Sequence, residues 1–152
     1  MDEIRAALLR SELARLPVRL ARFKANYGYV AQALADVEGI EIRRPVAPGA
    51  YLGEAFIFRV PGGEANWFAW ALRCEGIDAR NLGAADEVNV RVFWNWRFLY
   101  DTDDVALIQA SLPRTTRYLR EAVDIPLSST LSVQDCDQLV EAVRRVAGGG
   151  PR

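Results

Sequence analysis

The chain has 152 residues, 51% of them apolar and 26% charged, a balance suited to one soluble domain with a single core. Nineteen basic residues against twenty acidic ones leave a net charge of −1, which excludes the broad basic footprint of a nucleic-acid-binding protein. There is no histidine, and Lys24 is the single lysine, so histidine acid–base chemistry, Ser-His-Asp triads and His-ligated metal sites are excluded by composition.

The first forty residues carry the strongest pattern. Leu9, Leu13, Leu16, Leu20, Phe23, Tyr27, Val30, Leu34 and Val37 follow alternating steps of four and three, which places them on one stripe of a helix. Such a stripe suits either a coiled coil or a long helix packed on its own or a neighbouring domain. Pro17 favours the packed helix, because it cannot donate to the Leu13 carbonyl and should kink or restart the helix there. Gly39 is the expected left-handed end of this element.

Ile40 and Ile42 alternate with Glu41 and Arg43 as a short one-faced strand, and Ala55 to Val60 reads as a more buried strand stopped by Pro61-Gly62-Gly63. Residues 64–75 fit a helix with Trp67, Ala71 and Leu72 inward, and 77–80 a third strand. The aromatic-rich stretch 88–100 is ambiguous between strand and loop. Pro113 opens a helix to about Val123, residues 124–127 are extended, and Ser132 with Asp135 forms a capping-box signature ahead of a final helix with Cys136, Leu139, Val140, Val143 and Val146 on one face. The expected fold class is α+β: a long, kinked N-terminal helix followed by a small antiparallel sheet with helices packed on it. The expected boundaries are a helical arm over 1–38, the α+β domain over 39–147 and a flexible tail over 148–152.

Candidate chemistry is sparse. Lys24 supplies the only amine able to form a Schiff base, yet its charged neighbours mark it as a solvated side chain. Cys74 and Cys136 lie in separate helices without metal-ligand spacing, so they read as small core residues, and no metal site is expected. Pro61-Gly62-Gly63 reads as a tight turn rather than a phosphate loop. Trp94, Asn95 and Trp96 suit either a pocket that stacks on a polar ring or a core and interface cluster, with Phe93 and Phe98 assigned to the core. Arg80 and Asn81, just past the third strand, are further pocket candidates. No catalytic set and no cofactor-binding set assembles from these residues.

The order of motifs resembles the C-terminal small domain of DegT/StrS-type (DegT/DnrJ family) aminotransferases. Residues 1–16, with Met1, Glu3, Ala6, Ala7 and Leu8 ahead of an arginine-rich helix, are similar to the stretch that follows the cofactor domain in that family. The ending Leu34…Gly39-Ile40, the helix-to-strand passage Leu72…Gly76-Ile77, and Ile125-Pro126-Leu127 before an acid-capped last helix match in order. The resemblance implies the small domain of a fold-type I, pyridoxal-phosphate-dependent sugar or cyclitol aminotransferase. In the family the Schiff-base lysine and the cofactor contacts lie upstream of this stretch, so Lys24 does not inherit that role. The family's histidine-containing segment after the Gly-Ile strand is replaced by Arg80-Asn81 and, later, Trp94-Asn95-Trp96, which implies a different substrate pocket.

The resemblance recasts the stripe as an interdomain helix. Leu9, Leu13, Leu16, Leu20, Phe23 and Tyr27 become candidates for contact with a second chain that carries pyridoxal phosphate, the two together forming a split aminotransferase. The alternatives are a non-catalytic accessory subunit that stabilises an aminotransferase homologue and a helical assembly protein that self-associates through the heptads. No apolar run reaches membrane-span length and no signal-peptide pattern opens the chain, so no membrane partner is expected and the expected location is the cytoplasm.

Overall fold

The computed structural model describes residues 2–47, 51–84 and 89–149. Its first element, α1 (Glu3–Ala33), runs 31 residues, about 46 Å at helical rise, and is capped by the Asp2 carboxylate accepting from the Arg5 N–H at 2.8 Å. The helix passes through Pro17 without restarting. Residues around Pro17 are exposed, so the Leu13 carbonyl that loses its partner can turn to water. The helix also stops earlier than Gly39: the Leu34 N–H closes the last turn on Val30 at 3.0 Å, and a turn then leads into the sheet.

The sheet has four antiparallel strands, ordered β1 (Glu41–Ile42), β2 (Ala55–Arg59), β4 (Ala122–Pro126) and β3 (Arg80–Asn81). Side chains alternate across it. Phe56 and Phe58 of β2, with Val123 and Ile125 of β4, point to the inner face and are buried. Three helices cover that face: the end of α1, α2 (Ala65–Cys74) and α5 (Val133–Gly148). From α1 come Tyr27, Val30 and Leu34, and from α5 Leu139, Val140, Val143 and Val146, along with Cys136. Each fully buried Leu, Val or Phe here contributes roughly 1.5–3 kcal/mol of hydrophobic free energy. The last turns of the arm expected over 1–38 thus pack into this core.

Local corrections follow from packing. In α2 the inward residues are Ala65, Phe68, Ala69 and Leu72, with Trp67 and Ala71 at the margin, a face turned slightly from the expected one. Cys136 is buried as expected, but Cys74 is exposed at the end of α2. At α5 the capping box forms in full: Asp135 N–H donates to Ser132 Oγ at 3.2 Å, and Ser132 N–H to Asp135 Oδ2 at 2.8 Å, which holds the Asp135 carboxyl below its ordinary range. Gly148 is the last residue of that helix, and 150–152 of the expected tail lie outside the described residues.

Between β3 and β4 the chain builds a second, smaller cluster. Two short 3-10 turns (Phe93–Asn95 and Arg97–Leu99) lead to α3 (Val105–Ser111) and α4 (Pro113–Glu121). Val92, Phe93, Trp94 and Ile108 are buried together, with Tyr100, Val105 and Leu119 packed against them. The ambiguous stretch is thus turn structure rather than strand, and α3 is an element the sequence pattern did not reveal.

Candidate functional site on the outer face of the sheet

The outer face of the sheet carries Ala55, Ile57 and Arg59 of β2 and Asp124 of β4. It divides into two charged rows. In one, Arg59 sits opposite Glu41 and Ala122, donates to Glu41 at 2.6 Å and to Glu121, and stacks 4.2 Å from the Tyr118 ring. Its charge is fully engaged. In the other, Ile57 faces Asp124, Asp124 faces Arg80, and the Arg43 N–H extends the ladder to Ile57 at 3.0 Å. That row places a carboxylate between two arginines.

A groove of about 680 Å³ lies over the second row. Its floor includes Ile57 and Asp124, one wall carries Tyr51, Leu52 and Gly53, another Asn89, Arg91 and Val92, and Arg43 and Arg44 line the β1 end. Gly53 allows the first wall to close on α1. It has φ +85°, and a Cβ there would stand 2.7 Å from the Phe23 carbonyl oxygen. The Tyr27 hydroxyl donates to the Arg43 carbonyl at 2.9 Å and fixes the start of the β1 wall. Burial raises the Tyr27 hydroxyl above its ordinary pKa, so it remains a donor at neutral pH.

Asp124 is the electrostatically unusual residue. Its Oδ1 is buried with no hydrogen-bond partner among the described residues. Burial pushes its carboxyl above the ordinary range, while Arg80, Arg91 and Arg43 pull it back. Arg43, Arg44 and Arg91 make no ion pair with any described residue. The groove is therefore lined by arginines outside any close ion pair among the described residues, which suit an anion, and by one carboxylate, which suits a hydrogen-bond donor.

The predicted pocket residues do not converge on this groove. Arg80 stands beside Asp124 across the β3–β4 pair and also lies 3.8 Å from Asp78. Asn81 is buried instead and donates to the Arg120 and Ala122 carbonyls at 2.7 and 3.0 Å, so it ties β3 to the chain entering β4. Trp94 is buried in the second cluster, where large aromatic area is best hidden from water. Asn95 donates to the Asn89 carbonyl at 2.7 Å and Trp96 to the Val90 carbonyl, so both brace the turn that carries Arg91. Phe98 is exposed rather than core. Arg43, Arg91 and Asp124 were missed, although Asp124 had a signal: it is an acid between Val123 and Ile125 on an otherwise apolar strand, where alternation sends it to the opposite face.

The partner-interface candidates also split. Leu9, Leu13 and Leu16 are exposed, as are Ile4 and Leu8 on the same half of α1. Leu20 and Phe23 are half-buried. Tyr27 is enclosed by its own domain, its ring 4.8 Å from Tyr51 and 5.8 Å from Phe56, and so leaves the set available to another chain.

Pyridoxal phosphate does not fit the residues present. A Schiff-base site needs a lysine beside a phosphate cradle. Lys24 is exposed on α1, its Nζ 5.9 Å from the Tyr51 ring centre, and it does not line the groove. No group of three or more His, Cys, Asp or Glu able to hold a metal occurs among the described residues, and none of the described helices is long and apolar enough to cross a membrane.

Comparison with known proteins defines where this domain belongs. DesV from S. venezuelae, whose structure holds a ketimine intermediate, superposes with a TM-score of 0.77 at 21% identity over 99% of this chain and 38% of its own. The aminotransferase TlmJ from Streptoalloteichus hindustanus gives 0.68 at 20% identity over 91% of this chain and 34% of its own. Spr1654 from Streptococcus pneumoniae, named as a candidate sugar aminotransferase, gives 0.74 at 21% over 97% and 36% in its PLP form. At such identities the likeness concerns the fold, and this chain spans little more than a third of each of those proteins. Among curated proteins no match is found. The family model of the DegT/DnrJ/EryC1/StrS aminotransferases matches residues 1–144, and the chain belongs to that family.

Proposed function

We propose that this chain is the small-domain subunit of a split pyridoxal-phosphate-dependent sugar or cyclitol aminotransferase. A partner chain carries the cofactor and its lysine. The cofactor supplies the amine-transfer chemistry, and this chain binds and orients substrate from the groove side of the cleft. The observation that carries the reading is the uncovered half of α1: Leu9, Leu13 and Leu16 extend the heptad stripe of the core yet stand 49%, 64% and 43% exposed. A bare stripe of this length, continuous with a packed one, suits a helix that spans two domains. Membership of the aminotransferase family supports the same reading.

Purification of the tagged chain from its native cells, with identification of any bound protein and an absorbance scan for pyridoxal phosphate, tests this. The expected result is a stoichiometric complex that contains the cofactor, transaminates, and dissociates when Leu13 and Leu16 are replaced by Glu. Recovery of a complete aminotransferase whose activity does not need this chain would replace the split enzyme with the accessory-subunit reading. Recovery of the chain alone would overturn both.

A further inference from the structure

The outer sheet face holds two unlike charge arrangements. The Arg59 row closes on itself through Glu41, Glu121 and Tyr118, whereas the Asp124 row ends in a groove with a buried, unpartnered carboxylate oxygen. An apolar residue at 124, beside Ile57 and below Leu82 and Val92, would avoid the desolvation cost of that oxygen. The terminal torsion of an aspartate is soft, so a small rotation can turn the carboxylate toward the groove. Arg43, Arg44 and Arg91 are among the residues that line the same space, and Glu54 stands at its solvated edge.

We propose that Asp124 is a specificity-determining residue of this groove: it accepts a hydrogen bond from a hydroxyl of a ligand whose anionic group lies against Arg43, Arg44 and Arg91. The ligand class is a hydroxylated anion. An anion without the hydroxyl would meet the same arginines but leave the carboxylate unpaired and repelling it. Sites built around a buried polar group reject analogues that lack its partner far more strongly than apolar pockets reject a missing methylene. The inference rests on the proposed function for the groove's place at a substrate cleft. The site is made of this chain's residues alone, so it is tested without a partner.

Protein-observed NMR titrations of the full chain compare glucose 1-phosphate with inorganic phosphate in the native protein and in Asp124→Leu, Asp124→Asn and Arg91→Ala. The native chain is expected to bind glucose 1-phosphate about tenfold or more tighter than inorganic phosphate. Asp124→Leu should bring that ratio close to one without weakening inorganic phosphate, Asp124→Asn, which keeps an acceptor oxygen, should retain part of the preference, and Arg91→Ala should weaken both probes. If Asp124→Leu does not fold, as judged by circular dichroism, the Asn variant and the native ratio still decide. Phosphate binding that depends on Arg91 but shows no native preference for glucose 1-phosphate overturns the role of Asp124, as does a preference unchanged in the folded variants. If neither probe binds, or if Arg91→Ala changes nothing, the groove itself is overturned as a ligand site. A positive result with no cofactor-bearing partner would leave the site standing and remove the split enzyme.

Discussion

The two halves of α1 share one heptad stripe and meet opposite fates. Tyr27, Val30 and Leu34 are 8%, 0% and 1% exposed, while Leu9, Leu13 and Leu16, in the same four-and-three register, stand in solvent. The difference lies in what sits opposite. The second half meets α5 and β2, and Asn26 donates to the Ser128 carbonyl at 3.0 Å where the approach to α5 begins. The first half projects past the sheet with no element of the described chain over it. A period in the sequence thus shows that a stripe can be covered, and the tertiary neighbours decide which part the chain covers itself.

Leu34→Ala should be the most damaging single change. Its side chain is 1% exposed within the main cluster, and removing it leaves a cavity that packed surroundings fill only in part, a loss of about 2–5 kcal/mol in chemical denaturation. A loss below about 1 kcal/mol would erase the distinction between the halves. Gly53→Ala sharpens the boundary between them. At φ +85° an alanine is strained, and its Cβ would press on the Phe23 carbonyl at the point where α1 passes from bare to covered. The expected loss is about 1–3 kcal/mol, with aromatic NMR shifts confined to Tyr27 and Tyr51. A neutral outcome would show that the Tyr51–Gly53 wall does not hold α1 in place.

What the sequence disclosed follows physical locality. The capping box at Ser132 and Asp135 and the apolar face of α5 depend on neighbours within a turn or two, and both formed as read. The apolar segment from Ala55 to Val60, closed by Pro61-Gly62-Gly63, likewise marked β2, and the motif order led to the family. Pro17 does not restart the helix, because that depends on whether water can reach the freed carbonyl, which is a tertiary property. The candidate site was least legible. Asp124 and Arg80 become neighbours only through β3–β4 register, and Arg91 reaches the groove only because Asn95 and Trp96 brace its turn. Aromatic density drew attention to 93–98, where it serves mainly to bury Phe93 and Trp94. Composition alone could not separate those roles, because stacking pockets and small cores call for the same residues.

The smallest expected effect is also the most discriminating. Replacing Leu13 and Leu16 by Ala should change the stability of the isolated chain by no more than about 0.5 kcal/mol, because side chains 64% and 43% exposed surrender little buried area when truncated. Alanine also favours a helix slightly over leucine, so helicity should hold in circular dichroism. The complex proposed above should weaken in the same double variant, since there the lost methyl groups would come from a closed interface. A loss of about 2 kcal/mol in the chain alone would mean that something already covers the stripe. Sedimentation across a concentration series would then identify it: a dimer that dissociates in the variant assigns the cover to a second copy of this chain, and the two halves of α1 would differ only in which molecule buries them.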